Sequence, residues 1–172
     1  MEPVFENAYV YTMENLKETA KHSLVQKYKI TSITLAALCC LIAGLLLLLH
    51  ESVVLIAALL ISAVLVLAKL FSLPAKLAKQ AYRRNEVMYQ AQPRVVVDFF
   101  EDQLQVCNEG SHAVLRFTYD KIVRIKKTKN LYLFTLPEQL IVMVQKQSFV
   151  TGQPADFVPF LKQKCPGAAR RL

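Results

Sequence analysis

A long apolar block constrains what this chain can fold into more than any other feature. Residues 30–73 contain only three ionisable side chains, His50, Glu51 and Lys69. Soluble proteins spread their apolar residues in periods of two or 3.6, whereas a block of this length and purity is typical of membrane spans. The hydrophobic fraction of 54% over 172 residues agrees with a small soluble domain joined to such spans.

The block is long enough for two spans. Residues 30–49 and 52–73 would each form a helix of about 30 Å, which matches the hydrocarbon thickness of a bilayer. One continuous helix would be about 65 Å long, roughly twice that thickness. The polar pair His50 and Glu51 therefore predicts a tight turn between two transmembrane helices packed as a hairpin.

Positive charges flank the hairpin at both of its ends and are missing from its turn. These charges are Lys17, Lys21, Lys27, Lys29, Lys69, Lys76, Lys79, Arg83 and Arg84. By the positive-inside rule we expect a multi-pass protein of the cell membrane with both termini in the cytoplasm. The first apolar run begins only near residue 30, so we expect no cleavable signal peptide.

The chain divides into four predicted regions. They are a cytoplasmic strand and helix (residues 1–29), the transmembrane hairpin (30–73), a basic juxtamembrane helix (74–93) and a cytoplasmic domain (94–172). Thr12 or Asn15 would cap the first helix, which starts near Met13. Pro74 suits the first turn of a new or continued helix after the second span.

Short strands alternate with turn formers in the last region. The predicted strands are residues 94–100, 104–108, 112–117, 122–128, 131–136 and 140–145. The turn formers between them indicate antiparallel hairpins rather than parallel units with crossover helices. A closing helix within residues 154–165 would present Phe157, Leu161 and Cys165 to the sheet, and its regular part should start near Pro159. The pattern predicts an α+β protein whose antiparallel sheet is capped by a C-terminal helix.

The C-terminal half also resembles a known family. The resemblance rests on residues 97–102 (VDFFED), 117–125 (FTYDKIVRI), 131–134 (LYLF) and 144–149 (VQKQSF). On these residues the chain is similar to the YcxB-like proteins of bacteria, which are small membrane proteins with a two-helix hairpin and a C-terminal domain. It departs from the family where Val144 and Gln145 stand before Lys146 in place of Ile-Pro.

The resemblance implies a fold but no activity. It implies a pleckstrin-homology-like domain, in which a bent antiparallel sheet is capped by a C-terminal helix. It also implies that the extended stretch 4–12 adds a strand to this sheet, so that the hairpin would be an insertion within one cytoplasmic domain. It brings no set of catalytic residues to this chain.

Groups that carry out catalysis or bind metals are scarce. The chain has four glycines and lacks the GxSxG, HExxH and Gly-rich phosphate-loop motifs. Its four cysteines form no CxxC pair, and Glu101 and Asp102 occupy a position where a hairpin turn is needed. We therefore expect no enzyme, no metal, no cofactor and no small-molecule substrate.

A basic strand is the most distinctive polar feature. Alternation would place Val123 and Ile125 inward and Arg124 and Lys126 outward. Such a face suits anionic lipid or an acidic protein segment, or it is a solvated face that only aids solubility. Nucleic acid is disfavoured because no stacking aromatics are interleaved with the charges. The candidate contacts with an anionic surface are Lys76, Lys79, Arg83, Arg124 and Lys126.

Small residues recur at every fourth position of the first span. They are Ser32, Ala36, Cys40 and Gly44, the candidate helix-packing residues. Such a stripe allows close approach of another helix, either within the hairpin, where Ala58 and Ser62 would match it, or in a homodimer.

These features predict a membrane-anchored, non-enzymatic binding or scaffold module. Its cytoplasmic domain would contact a protein partner or the anionic membrane surface, and its partners would include membrane lipids. The alternative is a regulatory membrane subunit that acts through helix packing on a larger complex.

Overall fold

The structure is a computed structural model that describes residues 2–50, 52–170 and 172, with the backbone alone for residues 24–27. Its helices are α1 (Met13–Thr19), α2 (Val25–Leu48), α3 (Val53–Tyr89) and α4 (Pro154–Lys164). Its strands are β1 (Phe5–Val10), β2 (Arg94–Phe99), β3 (Gln103–Asn108), β4 (Ala113–Thr118), β5 (Arg124–Lys127), β6 (Leu131–Thr135), β7 (Ile141–Gln145) and β8 (Phe149–Thr151). The α+β class predicted from the sequence is confirmed.

The strands form two antiparallel sheets. The larger sheet has the order β4-β3-β2-β1-β8 and the smaller one the order β5-β6-β7. Strand β1 lies inside the larger sheet, where Phe5 is opposite Phe99 of β2 and Asn7 is opposite Phe149 of β8. The N-terminal strand and the C-terminal strands therefore build one domain, and the helices α2 and α3 are inserted into it. Strand β8 was not predicted because three residues are too few to show an alternating pattern.

Aromatic side chains fill the core around helix α4. Phe157 is fully buried, and its ring centroid lies 4.9 Å from that of Phe99, 4.8 Å from Phe149 and 5.5 Å from Tyr132. The predicted capping helix is confirmed, but the expectation that it starts near Pro159 is wrong. Proline in place of an amide removes one intrahelical hydrogen bond, and the buried face that includes Phe157 holds the helix together across it.

One buried amide joins the two sheets. The side chain of Asn7 is completely buried, and its Nδ2 donates to the carbonyl oxygen of Gln145 at 2.7 Å while its Oδ1 accepts from the Gln145 amide at 3.0 Å. This reciprocal pair links β1 of the larger sheet to β7 of the smaller one. It satisfies a backbone amide at a point where the strands of the two sheets are not paired with each other.

The two inserted helices are long and apolar enough to cross a membrane. Within their most apolar stretches only 11% and 6% of the residues are buried. His50 adopts a left-handed conformation between them, and Glu51 lies outside the described residues. Pro74 lies within α3, so the predicted juxtamembrane helix continues the second apolar helix and ends at Tyr89.

A seam of small and medium-sized residues joins α2 to α3. Its buried members are Ala36 and Ala43 on α2 and Ile56, Ala63 and Leu70 on α3. All are spaced by seven residues, which keeps them on one face of the helix to within about 20° per heptad.

The predicted four-residue stripe only partly follows this seam. Ser32 is half-buried and Ala36 buried, whereas Cys40 and Gly44 are exposed. Steps of four residues turn about 40° each around a helix, so the stripe leaves the contact after two steps. On α3 the hydroxyl of Ser62 lies 3.8 Å from the sulfur of Cys39. The expected partner Ala58 is exposed instead.

Candidate functional site

The N-terminal helix docks on the β5–β6 hairpin. The Glu18 carboxylate accepts from the backbone amide of Asn130 at 2.9 Å and from its side-chain amide at 3.1 Å. The Thr19 hydroxyl donates to the sulfur of Met143 at 2.8 Å. The predicted cap of this helix is also present, because the Thr12 hydroxyl accepts from the Asn15 amide at 3.2 Å. These bonds fix the segment that leads directly into α2.

The ionisation of Glu18 reflects this docking. Partial burial raises the pKa of Glu18, but hydrogen bonds from Thr128 and Asn130, with the positive charge of His22, outweigh that effect. The net result is a pKa below the usual range, because these contacts favour the charged carboxylate.

Strand β5 then meets a π-helical turn (Ala20–Leu24) between α1 and α2. The ammonium group of Lys126 donates to the carbonyl oxygen of His22 at 3.0 Å. Lys126 lies on the face of β5 opposite the buried Ile125, and it is half-buried there because the N-terminal segment covers it. Arg124, two residues earlier, is exposed as predicted.

The alternation around β5 also starts later than the sequence indicated. Val123 was expected to face inward but is 65% exposed, whereas Ile122 and Ile125 are buried. A turn of 3₁₀ helix (Tyr119–Lys121) precedes this segment, and the strand begins only at Arg124. The inward positions are therefore three residues apart at this point and do not follow the period of a strand.

Five positively charged or titratable side chains come together where β5 approaches the start of α2. This basic cluster consists of Lys21, His22, Lys29, Arg124 and Lys126. Partial burial and the charges of Arg124 and Lys29 lower the pKa of Lys126. Burial and the charges of Lys126 and Lys21 lower the pKa of His22, although Glu18 acts in the opposite direction. Mutual repulsion among these groups favours binding of an anion between them.

The remaining candidate cations lie on the other apolar helix, α3. Lys76, Lys79 and Arg83 are exposed on α3. The end of α3 is fixed to the link that follows it, because the side-chain amide of Gln92 donates to the carbonyl oxygen of Tyr82 at 3.0 Å. At 1.5 Å per residue, Lys76 and Lys79 lie about 5 and 9 Å beyond residue 73 along the helix axis. Cations therefore follow the apolar stretch of α3, as they precede that of α2.

Sequence reasoning missed part of the basic cluster. Lys21 and Lys29 had been noted only for the orientation of the hairpin, and His22 had been given no role. Only the docking of α1 brings these residues to Arg124 and Lys126, and no residue pattern signals that contact. The side chain of Lys27 lies outside the described residues.

Lys146, in the last segment of the family resemblance, has a structural role. Its ammonium group donates to the carbonyl oxygens of Thr128 and Lys129 in the β5–β6 turn. It also lies 5.3 Å from the ring centroid of Tyr132. Partial burial and nearby Lys127 lower the pKa of Lys146. Lys146 thus holds the turn that the N-terminal helix contacts.

Several other polar or titratable groups belong to the packing of the domain. Among the described residues there is no group of three or more His, Cys, Asp or Glu placed to hold a metal ion. Burial raises the pKa of the Cys165 thiol to about 11, which keeps it protonated and unreactive. The Tyr119 hydroxyl donates to the carbonyl oxygen of Phe100 at 2.6 Å and closes the β2–β3 turn.

Residues 99–161 match the family model described as YcxB-like protein. This segment runs from the end of β2 into α4 and includes β5 and Lys146. The match confirms the resemblance over that segment, while β1 and the two apolar helices lie outside it. Comparison with curated proteins and with solved structures returned no match.

Proposed function

We propose that this chain, with its YcxB-like C-terminal segment, is a non-enzymatic module anchored in the cell membrane whose cytoplasmic domain contacts the anionic membrane surface. The observation that carries the proposal is the basic cluster, which joins β5 of the sheet domain to the first residues of an apolar helix. The sheets closed by α4 support the pleckstrin-homology-like assignment implied by the family resemblance.

The outward faces of the hairpin support insertion in a bilayer. Leu41, Leu48 and Phe71 are 72%, 77% and 82% exposed, and similar side chains surround them. Removal of apolar surface from water is favourable by about 25 cal/mol per Å². A lipid bilayer around these exposed side chains would therefore stabilise the hairpin strongly. The cations before α2 and after the apolar part of α3 then favour a cytoplasmic location for both termini.

The position of the basic cluster suits lipid headgroups. Lys29 adjoins the apolar stretch, and His22 with its bound Lys126 lies about 12 Å from residue 30 along the helix axis. The headgroup layer is about 5–8 Å thick on each side of the bilayer. Flexible side chains of lysine and arginine reach across the remaining distance, and each contributes about 1 kcal/mol near an anionic surface. A bound phosphate or carboxylate would also relieve the repulsion within the cluster.

The test uses the full chain in nanodiscs of neutral lipid and of neutral lipid with 30% phosphatidylserine. We expect slower amide hydrogen exchange over residues 121–129 in the anionic discs, and we expect the difference to shrink as salt is raised. Arg124→Glu should abolish the difference. Lys162→Glu changes the charge equally at an exposed position of α4 and serves as the matched control. Equal exchange in the two lipids would contradict the proposal.

A second candidate is a helix-packing role, as a homodimer or as a regulatory subunit. It is favoured by the outward position of Cys40 and Gly44, since a side-chain carbon added at Gly44 would meet nothing within 4 Å. Oxidation of membranes that hold the chain should then give a disulfide-linked dimer through Cys40. The dimer should disappear in Cys40→Ser and diminish in Gly44→Leu, and a monomer under all conditions would rule out the homodimer.

A further inference from the structure

Strand β4 forms one open edge of the larger sheet. It pairs with β3 alone, from Ala113 opposite Asn108 to Thr118 opposite Gln103. Val114 and Leu115 are 48% and 46% exposed. Among the residues that the structure describes, no backbone group outside the sheet bonds to this strand. An open edge of six residues is a template for a further strand.

The pattern of hydrogen bonds shows which backbone groups are available. The Phe100 amide donates to the Gln103 carbonyl oxygen at 2.8 Å and the Glu109 amide to the Arg94 carbonyl oxygen at 3.0 Å, so odd-numbered residues of β3 bond to β2. Antiparallel ladders alternate, and the even-numbered residues of β3 therefore bond to β4. The N–H and C=O groups directed away from the sheet are consequently those of Val114, Arg116 and Thr118.

A groove of about 800 Å³ runs beside this edge. Its apolar lining comes from Phe117 of β4 and from Pro137 and Leu140 in the turn between β6 and β7. Glu138 and Gln139 in that turn both have positive φ angles, 56° and 63°, a conformation that favours glycine or asparagine. Strained turns of this kind are frequent at binding sites.

The charge at the edge of β4 indicates which kind of strand can bind there. Arg116 donates from Nε to the neutral side chain of Gln105 at 2.9 Å, and no described carboxylate forms an ion pair with it. Lys121 and Glu138 also line the groove, but Lys121 forms an ion pair with Asp120 at 3.4 Å, so Arg116 is the positive charge that a partner would meet. A second copy of β4 would bring another arginine to the same edge, whereas a strand with acidic side chains would complement Arg116.

We propose that β4 binds an extended segment of a partner protein as an additional strand of the sheet. Alternate side chains of that segment are apolar and enter the groove over Phe117 and Leu140. The intervening side chains are aspartate or glutamate and pair with Arg116. Main-chain hydrogen bonds supply affinity in this mode of recognition, and the alternating side chains supply specificity. The edge strand β4 belongs to the larger sheet and the basic cluster to β5 of the smaller one, and the two sites share no residue.

The test selects peptides from a random heptapeptide library against the full chain in nanodiscs of neutral lipid. We expect enriched peptides to alternate acidic and apolar residues. Arg116→Glu should weaken their binding at least tenfold, and Lys162→Glu should not. Val114→Pro removes an outward N–H without disturbing the bonds to β3 and should weaken binding as well.

N-methylation along an enriched peptide tests strand pairing directly. Methyl groups should abolish binding at every second amide, because only alternate amides face β4. Loss at all positions or at none would overturn the proposal. The absence of enriched peptides, or binding that is unaffected by both β4 variants, would also overturn it. Self-association through β4 that Val114→Pro abolishes would show a second copy as occupant and contradict the acidic partner.

Discussion

The sheet domain and the helical hairpin place their apolar side chains in opposite directions. In the sheet domain Phe157 is fully buried among other rings, whereas on the hairpin Leu41 is 72% exposed. The hairpin interior consists largely of alanines such as Ala36 and Ala63. The sheet domain is therefore stabilised by its own core, while the outward apolar faces of the hairpin are exposed. This difference underlies the proposal that one region is cytoplasmic and the other lies in the bilayer.

The largest expected effect distinguishes the two apolar environments. Phe157→Ala should lower the free energy of unfolding by about 3–5 kcal/mol, because it leaves a cavity among packed rings. Leu41→Ala should change it by less than about 0.5 kcal/mol in detergent, because no protein atoms close around that side chain. Denaturant unfolding of both variants in the same micelles measures the difference. Similar losses would mean that the hairpin face is buried in a larger assembly.

The next prediction concerns the hydrogen bonds of Asn7 that link the two sheets. Asn7→Ala should cost about 2–3 kcal/mol, since it removes two hydrogen bonds and leaves the backbone amide of Gln145, which is partly buried, without its side-chain partner. Gln147→Ala, at an exposed position nearby, should change the stability by less than about 0.5 kcal/mol. Thermal unfolding of the two variants gives the comparison. If Asn7→Ala unfolds like its control, the amide pair does not hold the sheets together.

The seam between α2 and α3 predicts a smaller effect on stability, which depends on the face of α2 that carries the substitution. Ala36→Leu should overpack the contact between α2 and α3 and destabilise the hairpin by about 1–3 kcal/mol. Gly44→Leu introduces the same side chain on the outward face and should be nearly neutral for the isolated monomer. Proteolysis of the hairpin in micelles would rank the two variants. The reverse order would place the packing face along the four-residue stripe after all.

The smallest effect concerns pH. The pKa of His22 lies below its usual value because of burial and the charges of Lys126 and Lys21. An anionic surface favours the protonated imidazole and raises that pKa, so lipid contact should strengthen as the pH falls from about 7.5 to 5.5. Each unit of pKa difference between the bound and free states corresponds to at most about a tenfold change in affinity.

Exchange protection in anionic nanodiscs, followed against pH, measures this dependence. His22→Gln should flatten the profile, whereas His112→Gln should leave it unchanged, since His112 lies in the turn between β3 and β4 of the other sheet. A profile that survives His22→Gln would assign the pH dependence to another group. Glu18 is a poor candidate, because its lowered pKa keeps it charged throughout this range.

Periodicity and length explain what the sequence could predict. The two apolar helices, six of the seven strands from Arg94 onward, and the capping face of α4 follow from local patterns. The extended stretch 4–12 was recognised as a strand, but its place in the sheet came only from the family resemblance.

The features that the sequence could not predict depend on contacts between distant segments. The basic cluster requires the N-terminal helix to dock on β5, and the buried pair of Asn7 and Gln145 joins residues 138 positions apart. The prediction that α4 starts near Pro159 used only the local preference of proline, and the packing of the buried face of α4 overrides that preference. Alternation directs Lys126 away from the core, but it does not show that the N-terminal segment partly covers this side chain.

Photolabelling from the acyl chains of the lipid tests the central claim most directly. The full chain is reconstituted with a phospholipid that carries a diazirine in its acyl chain, illuminated and mapped by mass spectrometry. We expect labels on all outward faces within residues 30–49 and 52–73, and none on residues 94–164. Labels missing from the two helices, or equally frequent on the sheet domain, would contradict a hairpin that lies in the bilayer and holds the basic cluster at its surface.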